Sequence, residues 1–214
     1  MRSRRQKRSS RRHRGFTLIE VLMSMAVMTV GAVGIMSMQQ ASTRGNMESR
    51  QIYTASEVAR NWIERIRRDA LMWNRPVDSV TDLDALVPTS YLDQLPIPGN
   101  LNPTAWMEPA GAQSFGADYY GLDTAAGGTS RPYFCTNVRL AWAVPRQAIR
   151  VDVRTWWHHR GSNRDAANLD VACGTPGAVS AALSESGATG TPPADVRIGA
   201  VYVSAVVRWQ PTTL

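Results

Sequence analysis

The sequence predicts an α+β chain, one long N-terminal helix followed by a small antiparallel β-sheet. Three observations predict it. No proline falls between Phe16 and Arg75. That stretch opens uncharged and apolar, then changes to apolar residues at steps of three and four. Alternation of apolar and polar residues comes only late, from about residue 137. Helix first and strands afterwards is the α+β order. A length of 214 residues suits one domain with an appendage, and 43% hydrophobic content excludes global disorder.

The first element is a basic arm, residues 1–15. Arg2, Arg4, Arg5, Lys7, Arg8, Arg11, Arg12 and Arg14 place eight positive charges there, with no acid. The whole chain carries 24 positive and 17 negative residues; without the arm 16 remain against 17. The basic character therefore belongs to the arm, and a basic globular surface is excluded. A nucleic-acid partner is not expected, because the arm abuts an apolar segment.

That segment, 16–43, is the second element. From Val21 to Thr43 no residue is charged, a run of 23. A helix of that length, at ~1.5 Å per residue, spans the ~30 Å hydrocarbon core. The preceding charges predict a cytoplasmic N-terminus and an exported remainder. A cleaved secretory signal has a shorter apolar core, and Glu20 sits near the start of this one. An ordinary anchor needs no acidic residue there, where a charge is costly and usually functional.

The run Arg14-Gly15-Phe16-Thr17-Leu18-Ile19-Glu20-Val21 resembles the leader junction of type IV pilins and pseudopilins. The family pattern is a basic leader ending in glycine, then phenylalanine, apolar residues, and glutamate at mature position five. The resemblance implies cleavage by a prepilin peptidase between Gly15 and Phe16, N-methylation of Phe16, and a role for Glu20 in assembly. Gly15 offers no side chain, so a peptidase can approach the backbone. Glu20 lies about one helical turn beyond Phe16. In the family this carboxylate pairs with the N-terminal amine of a neighbouring subunit, and an unpaired charge in low dielectric favours such docking.

The helix is expected to continue through 44–75. Ile52, Ala55, Ala59, Trp62, Ile66, Ala70 and Trp73 form one face. Arg60/Glu64, Glu64/Arg68 and Arg65/Asp69 stand at i,i+4 spacing on the others. The apolar face needs a cover, which a sheet supplies. Asn74-Arg75-Pro76 ends the helix. A long helix, half in the membrane and half on a sheet, is the ladle that the resemblance implies.

Residues 76–136, rich in proline and glycine, read as an irregular connecting loop, with Tyr91-Leu92 and Trp106-Met107 as its anchors. The sheet is expected in 137–214. Val138, Leu140, Trp142 and Val144 alternate with Arg139, Ala141 and Ala143. Ile149, Val151 and Val153 alternate with Arg150, Asp152 and Arg154. Pro145-Arg146-Gln147 makes the turn of a hairpin. A last strand runs near Arg197–Trp209, with Gly199 as a bulge, after a surface loop over 174–195. Cys135 and Cys173, expected outside the cytoplasm, pair as a disulfide. The other reading is two free buried thiols.

No catalytic constellation stands out, and no enzyme is expected. His158 and His159 are adjacent and point to opposite sides of a strand end, so one metal cannot easily take both. No Gly-rich phosphate loop, HExxH or GxSxG occurs. Asp165 and Asp170 are scattered in loops. No cofactor or metal is expected.

Within the superfamily, Met28–Gln40 and Ala55–Arg67 resemble the corresponding runs of PilV-type minor pilins. That resemblance covers about residues 14–73. It implies a non-catalytic minor pilin that helps prime pilus assembly and sits at or near the tip. Its partners would be prepilin peptidase, other minor pilins, the major pilin, inner-membrane lipid and a tip adhesin. It would sit in the inner membrane as a single-pass protein, head in the periplasm, and later in the surface pilus. The alternatives are a minor pseudopilin of type II secretion or DNA uptake, and, from another class, a membrane-anchored periplasmic binding protein or enzyme.

Overall fold

A computed structural model describes residues 17–79, 81–82, 84–95, 102–109, 116–124, 132–159, 173, 176–185 and 197–210. The expected leader, its cleavage site at Gly15 and Phe16, and Asp165 and Asp170 lie outside them. The fold is α+β. Helix α1 runs Leu18–Asp69. The strands are β1 (Gly116–Ala117), β2 (Phe134–Val144), β3 (Ala148–His158) and β4 (Ile198–Arg208), with a short helix α2 (Pro176–Ala182) before the last. The chain divides into two units, Met1–Glu48 and Ser49–Leu214.

In the first unit residues 18–48 are all helical, and their side chains are exposed. Four hydroxyls fold back on the helix: Ser24 donates to the Val21 carbonyl at 2.9 Å, Thr29 to Ala26 at 2.8 Å, Ser37 to Gly34 at 2.7 Å and Thr43 to Gln39 at 2.9 Å. Each of these four hydroxyls is thereby satisfied within the helix. Among the described residues, one helix is long and apolar enough to cross a membrane.

In the second unit α1 lays Ala55, Val58, Ala59, Trp62, Ile63 and Ile66 into the core. The expected face is corrected at one end: Ile52 is 45% exposed, and Val58 and Ile63 widen the stripe instead. The helix gives way to a 3₁₀ turn at Ala70–Met72. Trp73 then turns extended, its N–H bonded to the Ala70 carbonyl, three residues before Pro76.

The expected i,i+4 ion pairs give way to other partners. Arg60 meets Glu57 and Arg67 meets Glu64, both at i,i+3. Arg65 reaches Asp123. Asp69 accepts the backbone N–H groups of Ser90 at 2.7 Å and Tyr91 at 2.9 Å. A carboxylate facing two unpaired amides gains more from them than from an exposed arginine.

The sheet is antiparallel throughout, in the order β1-β2-β3-β4. One face packs Val138, Leu140, Trp142, Ile149, Val151, Val153 and Trp157 with α1 in the main core. Residues 76–136 are less irregular than expected. Val77, Ala85, Leu86, Leu92 and Leu95 join the core, Tyr91 stands edge-on to Trp62, and β1 pairs with β2. Met107 bridges to Val138. The sheet begins at Phe134, earlier than expected, and Val144 ends β2 exposed, just past a register irregularity after Trp142. Arg146, at φ 67°, turns the hairpin.

Gly199 is not a bulge. It pairs with Trp157 in an unbroken register. A Cβ there would lie 2.5 Å from the Trp157 ring, so glycine is needed for close approach. The expected surface loop at 174–195 contains α2, whose Val179, Ser180 and Ala181 are buried. Cys135 and Cys173 are joined as a disulfide, with Cα atoms 5.5 Å apart. With Trp156 and Val179 they form a second apolar cluster on the sheet face opposite α1.

Candidate functional site

Of the expected processing and assembly residues, Glu20 lies within the described part, at the head of α1. Thr17 precedes the helix, and its carbonyl accepts the N–H groups of Glu20 at 3.0 Å and Val21 at 3.3 Å. These bonds close the first turn. Glu20 lies in that turn with its side chain exposed. A carboxylate is favoured there, because unsatisfied N–H groups give a helix N-terminus a partial positive charge. Leu18 at 79%, Ile19 at 65% and Leu22 at 54% exposure surround it with apolar surface. The arrangement is a single acid on an apolar helix surface.

The second unit holds a buried polar system that the sequence only outlined. Strand alternation marked Arg150, Asp152 and Arg154 as one face; it did not show that Arg154 would be wholly buried. Its guanidinium donates to Asn137 Oδ1 at 2.8 Å, Ser180 Oγ at 2.9 Å, Glu185 Oε2 at 2.8 Å and the Pro176 carbonyl at 3.1 Å. Trp106 lies under it, the guanidinium carbon 4.6 Å from the ring centroid, and meets Arg139 at the same distance. Asp152 accepts from Arg139 at 2.9 Å and from Ser204 at 2.7 Å, and pairs with Arg150 at 3.1 Å. The Tyr202 hydroxyl donates to Glu185.

Burial pulls the Arg154 guanidinium below its ordinary value, against the opposing hydrogen bond and charge of Glu185. Burial would raise the Glu185 carboxyl, but hydrogen bonds from Tyr202, Arg154 and Ser180 hold it below the usual glutamate value. Burial and the bond to Glu185 push the Tyr202 phenol up. These groups tie α2, β3, β4 and the Trp106 segment together, so the network is structural in its geometry. Among the described residues no group of three or more His, Cys, Asp or Glu is placed to hold a metal. His158 and His159 each stack on a different tryptophan, Trp156 and Trp157.

The prokaryotic N-terminal methylation motif matches residues 10–36, the end of the basic arm and the first three quarters of the apolar segment. No curated protein and no solved structure matches the chain. A motif of this kind implies processing by prepilin peptidase and assembly with other pilins. Together with the apolar helix that follows it and the α+β fold, the motif supports a type IV pilin-like prepilin.

Proposed function

We propose that the chain is a minor pilin of a type IV pilus, most like the PilV type, a structural subunit that helps prime assembly and sits at or near the tip. The observation that carries this is the methylation motif over residues 10–36 with Glu20 in the first turn of α1. The leader 1–15 is removed between Gly15 and Phe16, and Phe16 is N-methylated. Glu20 pairs with the N-terminal amine of a neighbouring subunit. The chain waits in the inner membrane, head in the periplasm, and moves with its partner pilins and a tip adhesin to the cell surface.

The test is a deletion strain complemented with wild type, Glu20→Ala or Glu20→Gln, scored for pili, protein secretion and subunit level. Glu20→Ala removes a charge from the membrane segment and favours insertion by roughly 2–3 kcal/mol. The subunit should accumulate normally while pili become few but normally shaped, with secretion unchanged. Normal pili would make this carboxylate a spectator. Loss of secretion with intact pili would overturn the pilus assignment.

A further inference from the structure

The sheet has two edges, and the chain treats them differently. Beside β2, β1 pairs at Phe134 and Cys135, and the 104–107 segment bonds at Val138 and Leu140. Beside β4, no described residue pairs. The backbone orientation of β4 follows from the bonds just beyond its ends. His159 N–H donates to the Arg197 carbonyl at 2.9 Å, and Trp209 N–H to the Gln147 carbonyl at 3.2 Å. With the unbroken register between, odd-numbered residues turn their peptide groups to β3. Ile198, Ala200, Tyr202, Ser204, Val206 and Arg208 therefore turn theirs outward.

Edges left open in natural proteins are usually blunted by proline, lysine or a bulge. Ile198–Arg208 contains no proline or lysine, and its register shows no shift. At its C-terminal end the edge borders a groove of about 610 Å³, lined by Arg67, Arg68, Leu71, Val206, Val207 and Arg208 among others, with no acid in the lining. Arg68 and Arg208 are exposed, and among the described residues Arg67 alone of the three has a carboxylate partner, Glu64.

We propose that β4 takes an added strand from another protein subunit, an extended segment whose backbone pairs with the six outward residues and whose carboxylate side chain enters the arginine-lined groove. A second copy of β4 is a poor occupant. Its residues Ile198–Arg208 contain no acid, so a second copy would offer the arginine-lined groove no carboxylate and would add Arg208 to it. That the donor is a neighbouring pilus subunit rests on the proposed function; the strand chemistry does not.

The experiment is hydrogen exchange on the full-length chain in detergent, with a capped heptapeptide Thr-Val-Glu-Val-Thr-Val-Glu as probe and its lysine counterpart as control. The acidic peptide should slow exchange across Ile198–Arg208, and the lysine peptide should not. Val206→Pro removes one outward N–H, leaves the β3 bonds in place, and should weaken protection roughly tenfold. Arg68→Glu with Arg208→Glu, both exposed, should shift the preference to the lysine peptide. No slowing, or equal slowing by both peptides, would overturn the proposal. So would protection that rises with protein concentration alone, which would make the occupant a second copy. The assay needs no pili. A failed assay beside pilus loss in Glu20→Ala removes this inference alone, and the reverse pair of results removes the filament reading alone.

Discussion

Arg154 is the residue on which the outer face of the sheet depends. Arg154→Ala would take from Glu185 Oε2 and Asn137 Oδ1 the guanidinium donors they face, and breaking such a buried pair costs about 3–5 kcal/mol. Arg154→Lys keeps the charge but loses the fork that reaches four acceptors, so it should also destabilise. Chemical denaturation of the three proteins measures this, with a lowered midpoint expected in both variants. The same network makes stability pH-dependent. The Glu185 carboxyl is depressed in the folded state, so its contribution is full above the unfolded value, ~4.3, and fades as pH falls through the folded value. Tyr202 is raised, so its contribution is full below the unfolded value, ~10, and fades at higher pH. Glu185→Gln should flatten the acid limb of a stability–pH curve, and an unchanged limb would mean that the ion pair is incidental.

At the level of elements, periodicity made the long helix, the hairpin and the last strand legible, because apolar residues recur along each at helical or strand spacing. It failed where burial is two-sided or irregular. Alternation separates the two faces of β3 but cannot show that the Arg150, Asp152 and Arg154 face is covered, since the cover comes from Trp106 and α2, distant in sequence. The small residues of 176–182 carry too weak a pattern to announce a helix, yet Val179 packs on the disulfide cluster. Gly199 reads as a bulge from sequence because glycine in a strand signals either a bulge or a close approach, and sequence does not separate the two. Gly199→Ala would set a methyl against the rigid Trp157 indole and should cost about 1–3 kcal/mol. A melting curve checks it; an unshifted midpoint would mean that the ring moves freely.

Across the whole molecule, the disulfide depends on an oxidising compartment. The Cys135–Cys173 bond closes a separation of 38 residues around β2 and β3. On the entropic account it stabilises by roughly 4 kcal/mol, so Cys135→Ser with Cys173→Ser should unfold at markedly lower denaturant. Neither thiol should alkylate in the native, non-reduced protein. The proposed processing site was legible for a different reason from the fold. On the proposed function the run Arg14–Val21 is a local recognition sequence for a peptidase, so eight consecutive residues carry it without tertiary context. The β4 edge has no such signature, because openness depends on what the rest of the chain leaves uncovered.

The central claim is that this chain is matured as a prepilin. Mass spectrometry of the N-terminal peptide, from membranes of cells making wild type or Gly15→Val, tests it most directly. The branched side chain of valine should crowd the scissile bond. The wild-type chain should begin at N-methylated Phe16, and the Gly15→Val chain should retain residues 1–15. A wild-type chain still carrying the basic arm, or a Gly15→Val chain processed like wild type, would contradict it.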